Sequence, residues 1–209
     1  MRFLWFFLLC GVLALVTVGC QDASPDAGIT VRVVNQLTGG PVTGTDVFLQ
    51  GSGITTRFTT NAFGTVLIPD VPVGGPYSLL LVTPAGYAPG LAGPISFSGV
   101  NRTVIGEVLT YAQLLATYGV AQPTDNTATV VAFGYERLDG VSPTREVQLT
   151  VDSTTDTGNP AVVTGIPVPP PGHNITVTDT ATGRAVLFPG QQLVPNSVLV
   201  VQAAFEGID

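Results

Sequence analysis

From residue 28 onward the chain is cut into short runs of Val, Ile, Thr and Leu by Gly, Pro, Asn and Asp, the punctuation of antiparallel β structure. The runs fall into two sets: residues 29–34, 45–49, 54–60, 64–68, 77–83 and 101–109, then 128–135, 145–152, 175–180, 184–188 and 198–204. So many short strands at this spacing predict a sandwich or barrel. Alternation assigns the faces. Val31 and Val33 point inward with Arg32 outside, and Val47 and Leu49 point inward with Asp46 and Phe48 outside. Two runs, 79–82 and 198–201, are apolar on both faces, which predicts central strands covered on both sides.

The two sets read as copies of each other. A shift of 100 residues lays Val31, Gly40, Val47 and Leu49 on Val131, Gly140, Val147 and Leu149. A second shift, of 119, lays Thr59, Gly64, Pro76, Leu80 and Val82 on Thr178, Gly183, Pro195, Leu199 and Val201. The difference of 19 implies an insertion between Val151 and Asn174, expected as a projecting loop that carries the prolines at 169–171. Between the copies, Tyr111, Leu114, Leu115 and Tyr118 recur at helical spacing. Thr110 and Gln113 form a capping pair and Gly119 a stop, so a short amphipathic helix is expected at the junction.

The N-terminus carries an address. Arg2 precedes an apolar run from Phe3 to Val16, and Thr17-Val18-Gly19 leads to Cys20. This resembles the bacterial lipoprotein signal, with Thr17 where Leu is commonest. The resemblance implies removal of residues 1–19 and lipidation of Cys20, and Gln21 in place of Asp favours delivery to the outer membrane. A tether over 20–27 would follow. The mature chain would then hold no free thiol and no lysine, with six arginines against fourteen acids. Stability must come from burial, and nucleic acid is excluded as a partner by charge.

Residues 28–109 carry further motifs: Gly40-Pro41-Val42, Gly44, Val47-Phe48-Leu49, Thr59-Thr60-Asn61, Gly64, Val71-Pro72-Val73-Gly74, Tyr77 and Pro84-Ala85-Gly86-Tyr87. Together they resemble the carboxypeptidase regulatory-like domain, related to the transthyretin-like, Cna-B-like and starch-binding-like sandwiches. The expectation is therefore an all-β chain. It comprises two tandem prealbumin-like or Ig-like β-sandwich domains, at 28–109 and, as a divergent copy, 127–209. A helical connector spans 110–126 and a signal helix precedes the whole. Such modules serve on exported proteins as spacers, stabilisers or binding units, and fold alone does not decide which.

The chemistry is thin. His173 is the single histidine and is expected as a solvated loop residue; no G-x-S-x-G or H-E-x-x-H motif occurs. A Lys–Asn isopeptide bond is impossible without lysine. No catalytic residue, cofactor or metal is expected. The expected role is that of a non-enzymatic, lipid-anchored envelope protein, meeting the membrane through its lipid and an envelope protein or glycan through its loops. The alternative is a carbohydrate-binding module. Candidate contact residues are Tyr87, Asp152, Asp156 and His173.

Overall fold

The computed structural model describes residues 27–206 apart from 52, 55 and 169–171. The expected leader, Cys20, the tether up to residue 26 and the prolines at 169–171 lie outside the described residues. The body is predominantly β. The first half contains β1 (Gly28–Asn35), β2 (Asp46–Gln50), β3 (Phe58–Thr59), β4 (Thr65–Pro69), β5 (Gly74–Val82), β6 (Gly90–Phe97) and β7 (Arg102–Val108). Helix α1 (Tyr111–Tyr118) leads to β8 (Thr127–Tyr135), β9 (Thr144–Arg145), β10 (Val147–Val151), β11 (Thr154–Gly158), β12 (Ala161–Pro167), β13 (His173–Asp179), β14 (Ala185–Gln191) and β15 (Ser197–Ala204).

These strands build three sheets, ordered β4-β1-β7, β12-β8-β15-β6-β5-β2-β3 and β11-β10-β13-β14, with β9 beside β8. The long sheet is the middle layer. One core lies between it and β4-β1-β7, filled by Ile29, Val31, Val33, Val47, Leu49, Leu79 and Leu81; the other lies between it and the β10–β13 sheet, filled by Leu149, Val151, Ile175 and Val177. The period-two alternation of a strand makes this possible. Along β8, Val131, Phe133 and Tyr135 enter the first core while Ala128, Val130 and Ala132 enter the second. Along β15, Val198 and Val200 face the first, and Leu199, Val201 and Ala203 the second.

The strand order repeats. In the first half β1 pairs antiparallel with β4 and parallel with β7, and β2 pairs antiparallel with β3 and β5. In the second half β8 pairs antiparallel with β12 and parallel with β15, and β10 pairs antiparallel with β11 and β13. Thus β8, β10, β11, β12, β13, β14 and β15 stand where β1 to β7 stand. Val31 is partnered by Val66 and Val104, and Val131 by Val162 and Val200.

This registration corrects the second shift read from the sequence. The counterpart of β5 is β13 rather than β15, and no long insertion is needed. Residues 152–168 are not a projecting loop: β11 and β12 lie within them, in the places of β3 and β4. The Thr-Thr-Asp-Thr-Gly and Thr-Gly-Ile-Pro stretches had hidden strands behind turn-forming residues.

The halves are joined by more than the helix. β15 runs parallel to β6, with Gly90 opposite Val200 and Gly93 opposite Ala203, and this pairing fuses the two into one sheet. Strand β6 was missed from sequence because Gly90, Gly93 and Pro94 read as a loop. Those glycines are packing requirements: a Cβ on Gly93 would lie 3.0 Å from the Tyr77 carbonyl oxygen, and one on Gly90 3.2 Å from Leu81.

Helix α1 spans the expected residues. Thr110 accepts from the Gln113 N–H at 3.1 Å, and the Gln113 side chain accepts the Thr110 N–H at 2.9 Å, a complete capping box; Gly119 closes the helix at φ 69°. Leu114 is fully buried, worth roughly 1.5–3 kcal/mol. Tyr118 meets the Phe133 ring edge-on at 5.4 Å, so the helix covers β8 on its first-core face. Leu115, expected on the same stripe, is 55% exposed. Full covering on both faces holds for β15, which is buried throughout. It fails for the other predicted run: Leu80 is half-buried and Val82 exposed on the outer face of β5.

Candidate functional site

The sequence candidates separate into three places. Asp152, at φ 53°, turns the chain from β10 into β11, and His173 opens β13 beside it. The His173 Nδ1 lies 2.7 Å from an Asp152 carboxylate oxygen, while the other oxygen accepts the Asn174 N–H at 3.0 Å. These two bonds, the histidine's first, hold the Asp152 carboxyl below the usual carboxylate range. His173 is therefore not the solvated loop residue expected: it is buried and starts a strand. Asp156 is elsewhere on the hairpin, accepting the Val162 N–H at 2.8 Å and so linking β11 to β12. Tyr87 belongs to the other half, half-buried against the first core and bridged to Thr110. The structure unites Asp152 with His173 and leaves Asp156 and Tyr87 outside that pair.

A His–Asp pair orients an imidazole as a general base needs, but a base requires something to deprotonate. Among the described residues, no hydroxyl is hydrogen-bonded to His173. No group of three or more metal-ligating side chains occurs among them either. The pair acts as a clasp, holding the β10–β11 turn to the start of β13.

Two polar clusters were not anticipated, one joining the two halves and one within the second half. In the first, Tyr135 donates to Glu107 at 2.6 Å and accepts from Gln36 at 2.8 Å, while Gln202 accepts the Glu107 N–H at 3.0 Å and donates back to the Glu107 carbonyl. Burial, reinforced by the Glu107 charge, pushes the Tyr135 hydroxyl far above the ordinary tyrosine range. The signal was Gln202, one polar residue inside an otherwise apolar strand. In the second, Arg145 bridges Glu136 and Asp179, the latter at 3.0 Å. Asp179 is 1% exposed. Burial would raise its carboxyl, but the Thr182 hydroxyl, the Ala181 N–H and Arg145 outweigh it and hold it below the usual value.

A groove of about 1280 Å³ lies beside β14. One wall is the length of β14; the floor comes from the uncovered ends of β5 and β6, including Gly75, Ser78, Pro94 and Ser96. Exposed Leu187 and Val73 flank it. Among the described residues its charged lining consists of Arg102 and Glu206, which face each other at 3.9 Å. Its aromatic lining residues, Tyr77, Phe97 and Phe188, are buried and present no free ring face. Nothing in the sequence pattern marked this groove, because it depends on how far one sheet extends past another.

No protein-family model and no curated protein match the sequence. Solved structures with some likeness include the Bacillus anthracis TIE protein, at 12% identity and TM-score 0.36 over 86% of this chain. A streptococcal ancillary pilin aligns at 11% identity and TM-score 0.32 over 83%. A Bacteroides uniformis ATCC 8492 protein to which carbohydrate binding is ascribed aligns at 11% and 0.35 over 82%, and over 95% of its own length. The chain spans only 33% and 63% of the first two. TM-scores this low assign the chain neither family nor function.

Proposed function

We propose that this chain is a non-enzymatic bacterial envelope protein, anchored by a lipid on Cys20 and delivered to the outer membrane, whose β body is a structural and protein-binding module. The observation that carries the reading is β15, paired at both edges and buried on both faces, which fuses the two halves into one stiff unit while leaving the groove and the outer edge of β14 open. A body built this way holds a surface in fixed orientation; the His173–Asp152 clasp serves that end. The surplus of acids disfavours nucleic acid and anionic lipid, so the lipid is the membrane contact.

Mass spectrometry of the membrane fraction tests the anchor. A mature chain beginning at acylated Cys20 is expected; an unmodified Cys20 or a retained segment 1–19 contradicts it. Photo-crosslinking in cells from positions spread over the body tests protein binding. Discrete adducts are expected, and no adduct at any position rejects the reading.

One observation favours the carbohydrate alternative. Phe63 is 76% exposed, the one aromatic ring in the open among the described residues, and an exposed ring face is what sugar stacking uses. A glycan array with Phe63→Ala decides it: retained glycans lost in the variant support sugar binding, and no retained glycan removes it.

A further inference from the structure

The two halves share a strand order, yet their corresponding edges are used differently. β6 and β14 each end a four-stranded arrangement, β3-β2-β5-β6 and β11-β10-β13-β14, in matching directions. The outer edge of β6 is occupied: β15 lies parallel along it over four register pairs, Gly90–Gly93 against Val200–Ala203, none of these residues charged. The outer edge of β14 faces the groove, and among the described strands β14 pairs only with β13. An unpaired edge presents a row of N–H and C=O groups ready for another strand.

Among the described strands, a second copy of the chain has none free to supply the missing one. The strand equivalent to β15 in the first half is β7, and its outer edge is closed. The Ile105 N–H donates to the Leu138 carbonyl at 2.9 Å, and Gln202 takes both the N–H and the carbonyl of Glu107. β15 itself is paired on both sides. Among the described residues there is thus an accepting edge and no free strand of the donating kind, which argues against repetition into a head-to-tail filament.

From this we infer that β14 accepts an extended strand from a different protein, running parallel to β14 as β15 runs parallel to β6. Pro189, with no N–H to give, and Gly190, at φ 63°, limit the pairing stretch to Ala185–Phe188, four residues like the β6–β15 contact. The groove sets the chemistry of the guest. Its two charges satisfy each other, and Leu187 and Val73 offer apolar contact, so the guest is an uncharged, apolar β-strand segment held chiefly by main-chain hydrogen bonds. The inference rests on the protein-binding reading but not on the lipid anchor.

The test uses the full chain in detergent and, as probe, a synthetic peptide with the β15 sequence, Ser197–Ala204, carrying solubilising lysines at its ends. A control peptide has proline at the positions of Val200 and Gln202. Hydrogen exchange at residues 185–188 is expected to slow by about tenfold with about 1 mM probe and not at all with the control. Leu187→Asp, at an exposed position, is expected to abolish that protection while leaving the thermal midpoint unchanged; Leu187→Lys serves if the first variant folds poorly. Unaltered exchange at 185–188, equal protection by the control peptide, or equal protection of the edge strands β3 and β11 overturns the inference. Failure here together with crosslinks from other faces leaves the protein-binding reading standing; absence of all crosslinks removes both.

Discussion

Phe133 lies in the second half of the sequence but fills the core of the first, and truncating it separates a shared sheet from two independent modules. The ring is 1% exposed and stands edge-on to Tyr118 at 5.4 Å. Phe133→Ala removes the buried ring and leaves a cavity between β8, α1 and the first core, a loss of about 3–5 kcal/mol that includes the aromatic contact. For a body of this size each kcal/mol lowers the midpoint by about 2–4 °C, so a fall of roughly 6–20 °C is expected. Calorimetry with hydrogen exchange resolved by peptide reads the result. Because β8 and β15 line both cores, protection should drop together in β1 and β5 and in β10 and β13, within one transition. Two transitions, with β1 and β5 retaining wild-type protection, would refute the reasoning.

Further outcomes follow from other parts of the structure. Asp179 is ionised more readily folded than unfolded, so its contribution is present above the ordinary carboxylate value of 3.8 and fades as pH falls through the lower folded value. Acid titration followed by circular dichroism should show stability falling from about pH 4 downward, and Asp179→Asn should flatten that dependence; an unchanged slope counts against the Arg145–Asp179 bridge. Thr110→Ala breaks the capping box and should cost about 0.5–2 kcal/mol in urea unfolding; no loss would mean the cap is idle. Gly134→Ala places a Cβ 2.4 Å from Val147 and 2.9 Å from Phe205, and should destabilise by about 1–3 kcal/mol through overpacking. Stability equal to wild type would show that the β8–β10 packing is looser than described.

What was legible in the sequence was whatever local chemistry dictates. The alternation of Val31, Arg32 and Val33 gave the faces of β1, and Thr110, Gln113 and Gly119 gave the helix to the residue. The first shift, through Val31 and Val47, aligned β1 with β8 and β2 with β10. The second shift failed because Leu80 and Leu199 share an apolar run while occupying different places in the fold: β5, the fifth strand of the first half, and β15, the last strand of the second. An apolar run reports burial, not which neighbour buries it. β6, β11 and β12 were hidden by Gly and Pro, which mark turns in most contexts but here accommodate close backbone approach or a bulge. The Asp152–His173 clasp was half visible: both residues were candidates, and the turn that joins them comes from the β10–β13 register. The groove was invisible, since it exists only because the middle sheet continues through β6 and β5 beyond the edge of β14.

The fusion of the halves stands or falls on the contact between β6 and β15. In an NMR sample labelled for amide and α protons, cross-strand nuclear Overhauser effects should connect residues 90–93 with residues 200–203, in the parallel register that sets Leu91 opposite Val201. Their presence establishes one continuous sheet through both halves. Their absence, with each half showing only its own internal contacts, would contradict the account at its centre.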